Sequence, residues 1–191
     1  MNANVGMLYP VAATVQTYTP GSSISYKSGS GSNFAEAVSA SLSWERADGH
    51  FYGDDVELDT DNGILGYTID FEPSGLNDAA RALLLGETVS SSEYTITSAA
   101  APDVGFGYVR AMRNKGVVSY EAWWFYKLKF GVSSEETRTK ERSVEWRVPT
   151  LQGVGSGVSL DATGVLNFCQ HKSFDSLASA KSYLNSKAGI T

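Results

Sequence analysis

The residues best suited to chemistry form an acidic series ahead of a strand. Asp55, Glu57, Asp59 and Asp61 alternate, Asp54 precedes them and Gly63 follows. Oxygen ligands at alternate positions suit calcium. The register of a helix–loop–helix calcium site is not met. Starting at Glu57 puts Asn62 where the sharp-turn glycine belongs and Thr68 where the bidentate acid belongs. A solvated acidic face and a contact between subunits therefore stand ahead of calcium. The imidazole and thiol ligands are His50, His171 and Cys169 alone. Cys169 and His171 sit two apart on what would be one strand face, and a pair cannot close a tetrahedral site. A small buried thiol and a surface imidazole fit them better.

No nucleophile has a supporting context. In Gly153-Val154-Gly155-Ser156-Gly157 the serine has no nucleophile elbow, and no helix opens after the glycines as a dinucleotide site requires. Glu135-Glu136 sits among basic residues and reads as a solvated loop. Trp123, Trp124, Phe125 and Tyr126 could form a platform for sugar rings, which stack on flat apolar faces. In an alternating strand half of them must be core. No catalytic, metal or cofactor-binding residue is assigned.

The elements that would position these residues are mostly strands. Val38, Ala40, Leu42 and Trp44 alternate with Ser39, Ser41 and Ser43, and Leu65, Tyr67, Ile69 and Phe71 repeat the period. The 45–63 stretch between them reads as a long acidic loop. Residues 74–86 form a helix with Leu76, Ala79, Ala80, Leu83 and Leu84 on one stripe, Ser74 as cap and Gly86 as stop. A short strand follows at 93–98. The runs 104–113 and 117–130 make a hairpin turning at Asn114-Lys115-Gly116. In its second arm Val118, Tyr120, Ala122, Trp124, Tyr126, Leu128 and Phe130 share one face. Residues 133–142 are a charged loop, 143–149 a strand, 153–157 a glycine turn, and 158–160 and 165–168 short strands. A C-terminal helix occupies 173–188 and stops at Gly189. The Gly/Ser-rich segment 20–33 reads as a flexible arm. The fold class is mainly β, an antiparallel sandwich or barrel with one packed helix and a C-terminal helix, in a single domain over 1–191.

Charge narrows the function. Lys and Arg total 15 against 21 Asp and Glu, a net −6, which argues against a protein that grips phosphates. Residues 1–80 hold 11 acids against Lys27 and Arg46, a balance of −9, while residues 81–191 carry +3. A subunit that stacks on its own copies can use that polarity. The first ten residues lack a secretory signal pattern, and no apolar run approaches the ~18 residues of a membrane span.

Several motifs in order carry a resemblance. They are Tyr9-Pro10-Val11-Ala12-Ala13, Asp54-Asp55 ahead of a strand, and Leu83-Leu84-Leu85-Gly86. Gly105-Phe106-Gly107-Tyr108-Val109-Arg110 follows, then Tyr120, Trp123 and Tyr126-Lys127-Leu128-Lys129-Phe130. Thr137-Arg138-Thr139-Lys140, Val144-Glu145-Trp146 and Val148-Pro149-Thr150-Leu151-Gln152-Gly153 complete the set. Over most of residues 5–190 the chain resembles the major tail protein (tail tube protein) family of long-tailed, non-contractile bacteriophages.

The resemblance implies a sandwich or barrel flanked by a helix, and hexameric rings stacked into a hollow tube. DNA would pass through without specific binding. The implied partners are further copies, the tape-measure, tail-terminator and distal tail proteins, with no membrane. The implied location is the virion tail, assembled in the bacterial host cytoplasm. Such a protein is structural, with no enzyme activity and no cofactor. The residues expected at subunit interfaces are Asp54, Asp55, Glu57, Asp59, Asp61, Trp123, Phe125, Arg138, Lys140 and Arg142. The alternatives are a carbohydrate-binding β-sandwich stacking sugars on Trp123 or Trp124, and a hydrolase using His50 or His171.

Overall fold

A computed structural model describes residues 3–27, 31–33, 36–53, 56–90, 93–96, 100–134 and 148–190. The chain begins with β1 (Ala3–Thr19), β2 (Ser23–Tyr26), β3 (Ser32–Asn33), β4 (Ala37–Arg46), β5 (Gly49–Gly53), β6 (Val56–Asp61) and β7 (Ile64–Pro73). Then come α1 (Asp78–Leu85), β8 (Thr88–Ser90), β9 (Glu93–Thr95), β10 (Val104–Asn114) and β11 (Val117–Ser134). The chain closes with β12 (Thr150–Ser156), β13 (Val158–Ser159), β14 (Leu166–Asn167), β15 (Cys169–Phe174) and α2 (Leu177–Ala188). The fold is mainly β and antiparallel with two helices, a sandwich with a C-terminal helix.

The main sheet runs β2-β1-β10-β11-β12-β7-β4, with β3 beside β1 and β15 beside β11. β11 is its branch point. Residues 120–125 pair with β15, and residues 128–134 pair with β12. β1 and β4 lie far apart in the strand order yet touch, so the sheet curls round on itself. Inside the curl lies a core of Tyr67, Ile69, Phe71, Phe106, Phe125, Leu128, Phe130 and Leu151, which also buries Ala80 and Leu84 of α1. A second core, Val11, Ala13, Val109, Ala122 and Trp124, is closed by Ala180, Leu184 and Ala188 of α2.

One inserted residue changes which core the later part of β11 faces. Phe106 pairs with Phe125, but Val104 pairs with Leu128, so β11 carries a bulge. A bulge shifts the side-chain alternation by one position. Trp124 therefore faces α2, whereas Leu128 and Phe130 face the other core together with Phe125. The single apolar face expected along Val118 to Phe130 is corrected to two faces, one on each side of the bulge.

Local chemistry sets the ends of the elements. The turn after β10 has Lys115 at φ 47° and Gly116 at φ 89°, the paired left-handed conformation of a two-residue hairpin. α1 starts later than the stripe suggests. Asn77 caps it, accepting from the Ala80 N–H at 2.8 Å, while Ser74 instead accepts the Glu36 N–H at 3.2 Å. Gly86 and Gly189 end the two helices in left-handed conformation, at φ 69° and 67°. α2 is capped by Ser176. Residues 173 and 174 belong to β15, because Phe174 pairs with Tyr120.

Three more expectations change. Residues 45–63 are not a loop: β4 runs to Arg46, and β5 and β6 form a hairpin. The alternation that resembles a ligand series is simply the side-chain period of a strand. Residues 153–156 are part of β12 rather than a turn. A Cβ at Gly155 would collide with the Tyr67 ring, and one at Gly153 would come within 2.7 Å of Leu128. These glycines make room for rings. The 20–33 arm contains β2, which pairs with β1 and delivers Tyr26 into the structure. The strand expected over 143–149 falls almost wholly outside the described residues.

Candidate functional site

The β5–β6 hairpin is the site that the acidic series builds. It forms a two-stranded sheet of its own, pairing Gly49 with Asp61 and Phe51 with Asp59. It leaves and rejoins the body at one point, where the Ala47 N–H donates to the Gly63 carbonyl at 2.8 Å. Arg46 Nη1 braces that base on the Asn62 carbonyl at 3.3 Å. Asp48, Asp59 and Asp61 are exposed. Their oxygens are used locally: Asp48 meets His50 Nε2 at 3.0 Å, Asp59 accepts the Thr60 N–H at 2.8 Å, and Asp61 accepts the Gly63 N–H at 2.9 Å. Carboxylates spent in this way do not converge into a cage. Among the described residues no group of three or more His, Cys, Asp or Glu is placed to hold a metal ion. Glu57 lies on β6 opposite Tyr52. Asp54 and Asp55 lie outside the described residues, as do Arg138, Lys140 and Arg142.

Trp123 and Phe125 lie elsewhere, on β11 in the main sheet. Phe125 is fully buried, with rings of Tyr67 and Tyr108 at 5.2 and 6.0 Å. It has no surface to offer a neighbour, so its expected place at an interface is corrected. Strand alternation is the physical reason: Phe125 follows Trp124 in regular register, so it points to the opposite face, into the curl. Trp123 is half-buried and stacks on His171 at 4.6 Å, with the Arg110 guanidinium 5.3 Å from the indole ring. Its Nε1–H donates to Glu121 at 3.3 Å. Trp124 is fully buried. Cys169 sits against the core, and burial pushes its thiol up to about 11, which keeps it protonated at neutral pH.

The sequence and its motifs match no protein-family model and no curated protein. Among the described residues no helix is long and apolar enough to cross a membrane.

Two groups of cations escaped the sequence reading. Lys127 and Lys129 converge on Asp103 at 3.6 and 3.9 Å. Lys172, Lys181 and Lys187 lie over aromatic rings around α2. The second group had one visible signal, an amphipathic C-terminal helix with lysines and no acid.

Proposed function

We propose that the protein is a structural subunit, a major tail (tube) protein that self-assembles into stacked hexameric rings. The rings form a hollow tube through which DNA passes. The single structural observation that supports the reading is the β5–β6 hairpin. An isolated two-stranded hairpin is marginally stable in water. Among the described residues this one pairs only with itself, and it is densely acidic, which suits an arm that gains its second surface from another copy. A contact of arm to body is heterologous, the kind that builds rings where the rotation closes and stacks or filaments where it does not. The −9 and +3 halves of the chain give the same contact an electrostatic direction. An acidic lining would repel phosphates and keep DNA sliding. The role needs no catalytic residue and no cofactor. Its partners would be further copies and the tape-measure, terminator and distal tail proteins, in the virion tail.

The carbohydrate reading loses its platform, since Trp124 and Phe125 are buried and His171 covers a face of Trp123.

The test removes the arm. Because Ala47 and Gly63 already meet, residues 48–62 can be replaced by a short glycine linker without disturbing β4 or β7. Negative-stain electron microscopy of concentrated wild-type protein is expected to show rings or tubes of uniform width. The linker variant is expected to remain a folded monomer. Normal tubes from that variant, or wild-type monomers at every concentration, would defeat the reading.

A further inference from the structure

The outer side of α2 carries an arrangement that nothing so far uses. Its sequence, LASAKSYLNSKA, contains no acid. Ala180, Leu184 and Ala188 point inward and are buried, while Ala178, Ser182 and Ser186 form an exposed ridge of small residues. Lysines flank that ridge on both sides. Lys181 lies over the Tyr9 ring of β1 at 4.7 Å, and Lys187 lies over Tyr183 at 5.6 Å. Lys172 of β15 extends the second flank, 5.4 Å over Phe174, whose ring packs on Tyr183 at 5.5 Å. Lys187 donates to Gln170 Oε1 at 3.2 Å. No ion pair within the described residues involves these three lysines. The rings hold the ammonium groups in place without neutralising them.

The hairpin is the complement. Residues 48–61 contain six acids and no lysine or arginine. Within one chain no ion pair among the described residues joins the hairpin carboxylates to these lysines, and Asp48, Asp59 and Asp61 are exposed. A narrow two-stranded arm can lie along a ridge of alanine and serine, because no long side chain stands in its way. The flanking lysines then meet its acidic edges. We propose that the β5–β6 hairpin of one copy docks on the lysine-flanked α2 ridge of a second copy. The inference rests on the self-assembly reading above and names the surface that receives the arm.

Carbodiimide joins a carboxylate to a lysine only when the two touch, so it reads this contact directly. Wild-type protein mixed from nitrogen-14 and nitrogen-15 preparations would be treated with it and mapped by mass spectrometry. The expected links join hairpin peptides to Lys172, Lys181 or Lys187 across isotopically different copies. In a second arm, the Lys181→Glu/Lys187→Glu double variant should keep its circular dichroism spectrum but lose both the links and the assembly. The Lys181→Arg/Lys187→Arg control should keep the assembly. Tubes whose links lie elsewhere, or a glutamate variant that assembles like wild type, would overturn the docking and leave the tube reading standing. Hairpin-to-α2 links without tubes would do the reverse. Monomers without links would overturn both.

Discussion

Tyr26 joins parts of the chain that are remote in sequence. Its hydroxyl accepts from Trp124 Nε1–H at 3.0 Å and donates to the Tyr126 carbonyl at 2.9 Å. Its ring meets Trp124 edge-on at 5.1 Å. Gly105 is bare because a Cβ there would strike both of these rings. The hydroxyl thus ties β2 to the centre of β11, and burial pushes its pKa well up. Removing it leaves a buried indole N–H and a carbonyl without their partner. Tyr26→Phe should therefore cost about 2 kcal/mol, more than the ~1 kcal/mol of an average hydrogen bond. Urea unfolding should show a lower midpoint with an unchanged slope. A loss near zero would mean that water replaces the hydroxyl. Nothing in Pro20 to Asn33 announces this role, because a tyrosine in a Gly/Ser-rich stretch has no local pattern to mark its partner.

Elements were legible where the signal is local. The 104–130 hairpin, its turn and the two glycine helix stops follow from propensity and period, and the structure has them. The β11 bulge was not legible. One extra residue leaves no mark in an apolar run, yet it decides that Leu128 and Phe130 join the core of Phe125 and not that of Trp124. The Gly153 and Gly155 pair was misread for a related reason: a glycine that makes room for a ring looks the same in sequence as one that makes a turn. Of the interface candidates, Asp59 and Asp61 are exposed on one strand, and Phe125 is interior. The α2 lysines stayed hidden because ring contacts from β1 and β15 organise them. The turn carries its own prediction. Lys115 holds φ 47°, a conformation that costs a long side chain and suits asparagine before glycine. Lys115→Asn should raise stability by about 0.5 kcal/mol, seen as a higher urea midpoint. A drop would mean that the lysine has a contact worth more than the strain.

At the scale of the whole molecule, β11 lines both cores, so neither can open alone without disturbing the other. The buried hydroxyls and the thiol spread along this strand's surroundings then respond together to pH. Burial pushes Tyr108 up to about 12, against the opposing pull of Arg110, and pushes Cys169 up to about 11. Burial also raises Tyr67 and Tyr26 strongly. Each folded-state pKa lies above its unfolded value, 10.0 for tyrosine and 9.0 for cysteine. As pH rises, the unfolded chain therefore loses these protons first, and each ionisation draws the equilibrium toward it. The stability that these groups contribute is complete below about pH 9 and declines as pH climbs toward 11 and beyond. The urea midpoint should be flat up to pH 9 and then fall. Tyrosinate absorbance from the buried rings should appear in step with the loss of near-ultraviolet dichroism. The decisive component is the late one, from Tyr26, Tyr67 and Tyr108. If all tyrosinate forms while the native dichroism persists, the rings are open to hydroxide and the two cores are not coupled through β11.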